Sequence, residues 1–440
     1  MALVIPAKQD PGPSPLPWPF RYHGLTVGLL TVLVTLVWRM LTVSHMSLPI
    51  GVAELALVAL LVLWLGWRII QRALMDDWTI NGFETYVLLL LLLPIIPAIG
   101  AKREFGQPVI WGIIAFKDYY LLSGVLAIYH WLRKGWITLA QLERALVLMA
   151  WTCLIYFYFA TLFIDPGPYQ DTPLAGANDV KGGGAYYRFN MSAIYFGAIY
   201  YAARAFLRNR WTDLGYALLF AAYVVVFRMD RTSMAVTAIG MAGVVLLHVP
   251  LKRIARMVLP VVLPAVLAGL LFVLLAPDKV EQYRFMFMDA MHTVMGSTSG
   301  ATEVSVRTVE VAIAERQIKQ HPWVGNGRIS REWSEEGYDK YFGFFYPADV
   351  GWLGLAFIYG YPGMALLYLL FFIAAIYMLR VKGRNGDLLF MTCKFLLLAL
   401  FLDSLTNGQL TQNTGQALLL LGLMHHYSRI NGQVLPAPAA

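Results

Sequence analysis

The chain has 440 residues, 59% of them hydrophobic and only 14% charged, with a net charge of +8 and a mean hydropathy of +0.60. A soluble chain carries about a quarter charged residues, so a soluble globular protein is excluded. The positive balance does not imply nucleic acid, because the cytoplasmic loops of membrane proteins collect Lys and Arg.

The apolar residues come in blocks of about 20, the length a helix needs to cross about 30 Å of hydrocarbon. Residues 1–23 hold six prolines in their first 20 positions and no regular apolar run. We read them as a disordered cytoplasmic tail without a cleavable signal. Residues 24–276 give nine candidate spans: 24–44, 48–68, 84–101, 107–131, 143–164, 189–207, 211–227, 232–250 and 257–276. The fourth carries Lys117 and Asp118 near its middle, and its first half has the character of a re-entrant piece. A large soluble segment, 277–349, follows. Three more spans, 350–379, 386–403 and 411–427, lie within 350–427, and residues 428–440 form a second tail. Both cysteines, Cys153 and Cys393, fall inside apolar segments, so neither a disulfide nor a metal site is expected.

Short loops set the orientation. With the N-terminus inside, the inward turns carry Arg68/Arg72, Arg133/Lys134, Arg204/Arg208/Arg210, Lys252/Arg253/Arg256, Arg380/Lys382/Arg384 and Arg429. The expected fold is an all-α polytopic membrane protein of about twelve helices, both termini cytoplasmic, with one large outer loop. A few cations break the rule. Arg188, Arg228, Arg231 and Lys102/Arg103 all fall on the outer side. Arg228 and Arg231 either snorkel to lipid headgroups beside Asp230 or form an anion site, since guanidinium forks match phosphate geometry.

Within the large loop, residues 303–327 read "EVSVRTVEVAIAERQIKQHPWVGNG". This predicts an amphipathic helix with Val306, Val309 and Ile313 on one stripe, ended by Pro322 and a Gly-Asn-Gly turn. Arg307 reads either as an ion-pair partner of Glu303 or Glu310 or as a functional cation. His321 reads either as a helix-ending residue or as a catalyst.

This stretch resembles the signature of the O-antigen ligase and O-antigen polymerase superfamily, bacterial membrane glycosyltransferases of the glycosyltransferase C-like type. "YYRFNMSA" (186–193), "RMDRTSMAVTAIG" (228–240) and "GWLGLAFIYGYPGM" (351–364) resemble further segments of that family in the same order. Two departures stand out. Asp349 occupies the place where ligases carry a His-Asn pair, and the Ser-Arg-Gly of the family is altered to Arg231-Thr232-Ser233. These resemble polymerase-type members acting on O-antigen or exopolysaccharide repeat units.

The resemblance implies a glycan donor attached to undecaprenyl diphosphate, exposed at the periplasmic face of the bacterial inner membrane. The sugar–lipid bond supplies the energy, so no cofactor is implied, and the chain has no Walker, Rossmann or Asp-x-Asp pattern. Such transfer needs cations for the leaving diphosphate and a base for the acceptor hydroxyl. Arg188, Arg228, Arg231 and Arg307 are the expected diphosphate holders, with no metal. Asp349 is the first candidate base, its alternative being a cap for the following span, and His321 is the next. The loop aromatics Trp333, Tyr338, Tyr341 and Phe344 and the polar stretch 403–413 suit sugar recognition.

The expected partners are the lipid-linked oligosaccharide, the bilayer and a chain-length regulator or export machinery. Two rivals remain: a ligase that transfers the glycan to lipid A-core, and a lipid-linked oligosaccharide flippase. A transporter places ionisable groups at mid-bilayer on several helices. Here the main ones are Glu54, Lys117, Asp118 and Lys394, while the other unusual charges gather outside.

Overall fold

The computed structural model describes residues 18, 20–40, 60, 63–67, 71, 81–169, 175–178, 184–187, 189–228, 231–257, 274, 281, 284, 302–330, 333–334, 336–343, 345–384, 386–408, 410 and 414–431. For Arg231 and 302–307 only the backbone is described. The architecture is helical: α1 (His23–Val37), α2 (Gly82–Leu92), α3 (Ile95–Phe105), α4 (Val109–Ile114), α5 (Leu122–Arg133), α6 (Leu139–Phe163), α7 (Ser192–Arg208), α8 (Trp211–Ala222), α9 (Arg231–His248), α10 (Thr302–Gln320), α11 (Trp352–Arg380), α12 (Leu388–Thr406) and α13 (Thr414–Asn431). One short antiparallel hairpin, β1 (Ala175–Asn178) with β2 (Gly184–Tyr187), lies before α7. The sequence pattern gave no sign of it.

Five described helices are long and apolar enough to cross a membrane: Gly82–Phe105, Leu139–Phe163, Trp211–Arg228, Trp352–Arg380 and Leu388–Thr406. The second and ninth of the expected spans lie largely outside the described residues, as does Glu54, and the others overlap described helices. The fourth expected span is not one rod. It breaks into α4, a 3-10 turn at Lys117–Leu121, and α5. Helix α4 folds back on α3 so closely that a side chain at Gly112 would collide with Ala98.

The helix ends are chosen by local chemistry. Asn81 and Glu84 form a reciprocal capping box at the start of α2, and Thr138 and Gln141 do the same for α6. At one end of the bundle Asn81 Nδ2 donates to the Tyr129 hydroxyl, which meets His425 Nδ1 at 2.7 Å. On the same side Arg204 Nε donates to Asp213 Oδ2 at 2.9 Å. At the opposite end Asn190 Nδ2 donates to the Trp38 carbonyl, and Val37 packs on Gly415. Each contact joins residues that an alternating path brings to one end.

Helix α11 is broken at Gly360, which has φ 69° and ψ 174°. The break follows from Pro362: having no N–H, it leaves the Ile358 carbonyl without its helical donor. The loop after α10 fills the gap. Gly327 N–H donates to Ile358 O (3.1 Å), Asn326 N–H to Phe357 O (2.7 Å), and Tyr361 N–H to Pro322 O (2.8 Å). Gly325 and Gly327 have φ of 72° and 84°, and a side chain on Gly327 would meet the Pro97 carbonyl and the Ala101 backbone. The Gly-Asn-Gly turn is therefore a wedge between α3 and the broken helix, where only glycine fits.

The break also redirects the chain. Gly351 packs against the Leu405 carbonyl of α12, and the Tyr368 hydroxyl donates to Ser404 O at 2.8 Å. A straight helix from 351 to 368 would be about 25 Å long, yet both ends touch one turn of α12. The first half of α11, 352–359, thus lies across the end of the bundle. Its apolar residues Leu355, Phe357 and Tyr359 are buried, packed by Phe116, Tyr338, Phe342 and Phe345.

Candidate functional site

Asp349 sits in a 3-10 turn, Pro347–Val350, just before the transverse half-helix. Its N–H donates to Tyr346 O at 2.9 Å, and the adjacent Ala348 carbonyl accepts from Gly408 N–H at 2.5 Å. Asp349 is exposed. The N-cap residue of α11 is Gly351, which makes no side-chain cap bond. This turn is held from below by the C-terminal end of α12 and from the side by α10, where Glu310 Oε1 accepts the Tyr346 N–H at 3.0 Å.

Glu310 is a second departure from the expected pattern. Val309 of the predicted apolar stripe is 55% exposed, whereas Glu310 (1%), Ala314 and Ile318 face inward. A carboxylate takes the buried face because it supplies the acceptor that the loop backbone needs. Arg307 precedes Glu310 by three residues, about 4.5 Å along the helix, so its backbone lies one turn from the Asp349 segment.

Helix α9 starts at Arg231 and packs on α12. Gly240 lies by Ala399 and Gly243 by Phe395. Carrying this antiparallel register two turns further sets residues 231–233 beside the last turn of α12, around the buried Asp403, whose Oδ1 accepts from Asn407 Nδ2 at 3.0 Å. Ser233 Oγ accepts from the buried Tyr195 hydroxyl at 2.7 Å. Arg228 closes a π-helical turn at the end of α8, and its Nη1 donates to Tyr187 O at 3.1 Å. Arg188, the next residue in the chain, lies outside the described residues.

The backbone thus collects Arg228, the start of α9 at Arg231, the Arg307 turn of α10 and Asp349 around the C-terminal end of α12. His321 is not among them. It lies beyond the C-terminal end of α10, about 16 Å from Glu310 by helical rise, and beside Gly360 at the far end of the transverse half-helix. There its Nε2 pairs with Glu104 Oε2 at 2.8 Å, and Arg103 Nε holds Glu104 Oε1 at 2.5 Å.

The loop aromatics expected to suit sugar recognition are placed differently from one another. Tyr338 is buried, and its hydroxyl donates to Gly327 O at 2.8 Å. Burial pushes this phenol well above its ordinary range, so it remains a donor. Trp333 packs partly against the core, Tyr341 donates to Phe105 O, and Phe344 lies outside the described residues. Sequence reasoning missed Glu104 and Gln107. Gln107 Oε1 accepts from Ser330 N–H and its Nε2 donates to Arg328 O, tying α3 and α4 to the wedge. No periodicity could reveal pairs more than two hundred residues apart. Among the described residues, no group of three or more His, Cys, Asp or Glu side chains could hold a metal ion.

A helical membrane protein with a broken helix clamped by its own loop, and basic residues gathered at that same end, is the class these features define. Residues 216–368 match the family model described as O-antigen ligase, so this segment of the chain is similar to that family. The match contains both the wedge and the broken helix. No curated protein matches the chain.

Proposed function

We propose that the chain is a polysaccharide repeat-unit polymerase of the bacterial inner membrane. It transfers a growing glycan from undecaprenyl diphosphate to a hydroxyl of another lipid-linked repeat unit, at the periplasmic face. What supports this reading is the backbone placement of Arg228, the start of α9 at Arg231, the Arg307 turn of α10 and the Asp349 turn toward the C-terminal end of α12. Arg188, the fourth expected diphosphate holder, is carried in this proposal from the sequence alone.

The chemistry follows from those side chains. The arginines neutralise the diphosphate as the anomeric carbon–oxygen bond breaks. Asp349 takes the proton of the acceptor hydroxyl as that oxygen bonds to the anomeric carbon. No metal is needed, since guanidinium groups hold the charge.

The positive-inside distribution supports an outer location for this end, and Asp349 in place of the ligase His-Asn pair supports polymerase over ligase. The test is direct. Purified protein given only undecaprenyl-diphosphate-linked repeat units should make a ladder of longer chains. If extension requires lipid A-core instead, the protein is a ligase.

A further inference from the structure

The Glu104–His321 pair stands about 13 Å from the Asp349 turn, the rise of nine helical residues between Gly351 and Gly360. That spacing is too large for both groups to serve one proton. A carboxylate only accepts hydrogen bonds, so Glu104 Oε2 accepts from His321 Nε2–H at 2.8 Å and fixes how the ring is turned. Arg103 on the second carboxylate oxygen restricts Glu104 in turn. His321 is only partly buried, with 22% of its side chain exposed.

Two residues further on, Trp323 is 75% exposed. Its backbone is not mobile chain. The flanking Pro322 carbonyl binds Tyr361 N–H, Gly325 N–H donates to His321 O at 3.0 Å, and Asn326 N–H binds Phe357 O. An indole this exposed on a backbone this constrained is a preformed flat surface, needing little ordering to bind a partner. Two residues before it, His321 presents an imidazole held by Glu104, and the half-exposed Arg103 guanidinium holds the same carboxylate. An apolar face bordered by directional polar groups suits a sugar ring, which offers a C–H face and hydroxyl edges.

We infer that Trp323, His321, Glu104 and Arg103 form a saccharide subsite, one to three sugar rings away from the reacting bond, that holds the extended part of the glycan. Glu104 is its positioning residue, acting through His321. The subsite rests on the proposed glycan transfer but makes a separate demand: binding depends on the length of the sugar chain.

The experiment uses the full chain in liposomes, with lipid-linked donors carrying one or several repeat units. Trp323→Ala and His321→Asn should raise KM for multi-unit donors about tenfold and shorten the product ladder, the change falling in KM rather than kcat. Glu104→Gln should do the same more weakly, and Trp323→Phe and Glu104→Asp should restore most of the affinity. Thermal unfolding of each variant identifies loss of fold. Glycan released by mild acid from the same lipid-linked pool, and measured by equilibrium dialysis, reports binding without turnover.

If the wild type binds this glycan through Trp323 but elongates nothing, the subsite stands and the polymerase reading fails. If the wild type elongates, and Trp323→Ala matches it in KM, ladder and dialysis, the subsite is wrong. A Trp323→Ala protein that loses membrane insertion while keeping glycan affinity would assign the indole to the lipid interface instead, and also overturns the proposal.

Discussion

The main-chain N–H of Asn326 donates to the carbonyl oxygen of Phe357 across 2.7 Å. In an unbroken helix that carbonyl would accept from Tyr361, whose N–H instead reaches Pro322. A loop and a membrane helix have exchanged hydrogen bonds, and the exchange fixes where both ends of the transverse half-helix lie.

The wedge should therefore be intolerant of any side chain. Gly327→Ala places a Cβ against Pro97 and Ala101 at a backbone angle that L-residues avoid. We expect a loss of about 1–3 kcal/mol, read as a lowered Tm in detergent. Gly215→Ala, where no atom lies within 4 Å of the added group, is the control and should leave Tm equal or slightly higher.

Asp349→Asn keeps the shape of the 3-10 turn and removes the base. Turnover should fall by at least about a hundredfold, while donor binding is retained. Near-normal polymer from this variant would remove Asp349 from the mechanism.

Arginine substitutions should follow the geometry of diphosphate. Arg231→Ala and Arg307→Ala are each expected to lower the rate roughly tenfold to a thousandfold. Lysine at either position should recover only part, because a point charge lacks the bidentate fork. Full activity of both alanine proteins would reject the anion site.

Chelation should leave the rate unaltered, since the proposed charge holders are guanidinium groups. Activity abolished by a chelator and restored by Mg²⁺ or Mn²⁺ would place a metal in the mechanism.

Sidedness can be checked with little background, because both native cysteines are buried. Single cysteines replacing Arg307 and Asp349 should react with an impermeant maleimide added from the periplasmic side. Labelling from the cytoplasmic side alone would remove the lipid-linked donor from reach.

The parts of this fold that were legible were those written in local pattern. Apolar block lengths located most helices, and Pro322 with Gly325 and Gly327 marked the end of α10 and its turn. The Gly-Tyr-Pro run at 360–362 looked like ordinary helix because its neighbours are uniformly apolar. Its missing donor is supplied from 35 residues upstream. The same limit hid Glu104, whose partner His321 comes from another part of the chain. Val309 misled for a different reason: Glu310 is buried, where its carboxylate accepts the Tyr346 N–H, against the hydropathy of the helix.

The clamp on α11 has a consequence for how the protein is made. Unsatisfied backbone groups are poorly tolerated in hydrocarbon, and α11 in its broken form without the loop would carry them at Phe357, Ile358 and Tyr361. The helix can become a settled span only once 322–327 have docked beside α3. The expected order of assembly is α3 in place, the loop folded beside it, and α11 completed last. A ribosome-stalled chain ending within α11 should accordingly be extractable from the membrane, or cleaved by proteases, far more readily than one stalled after α12.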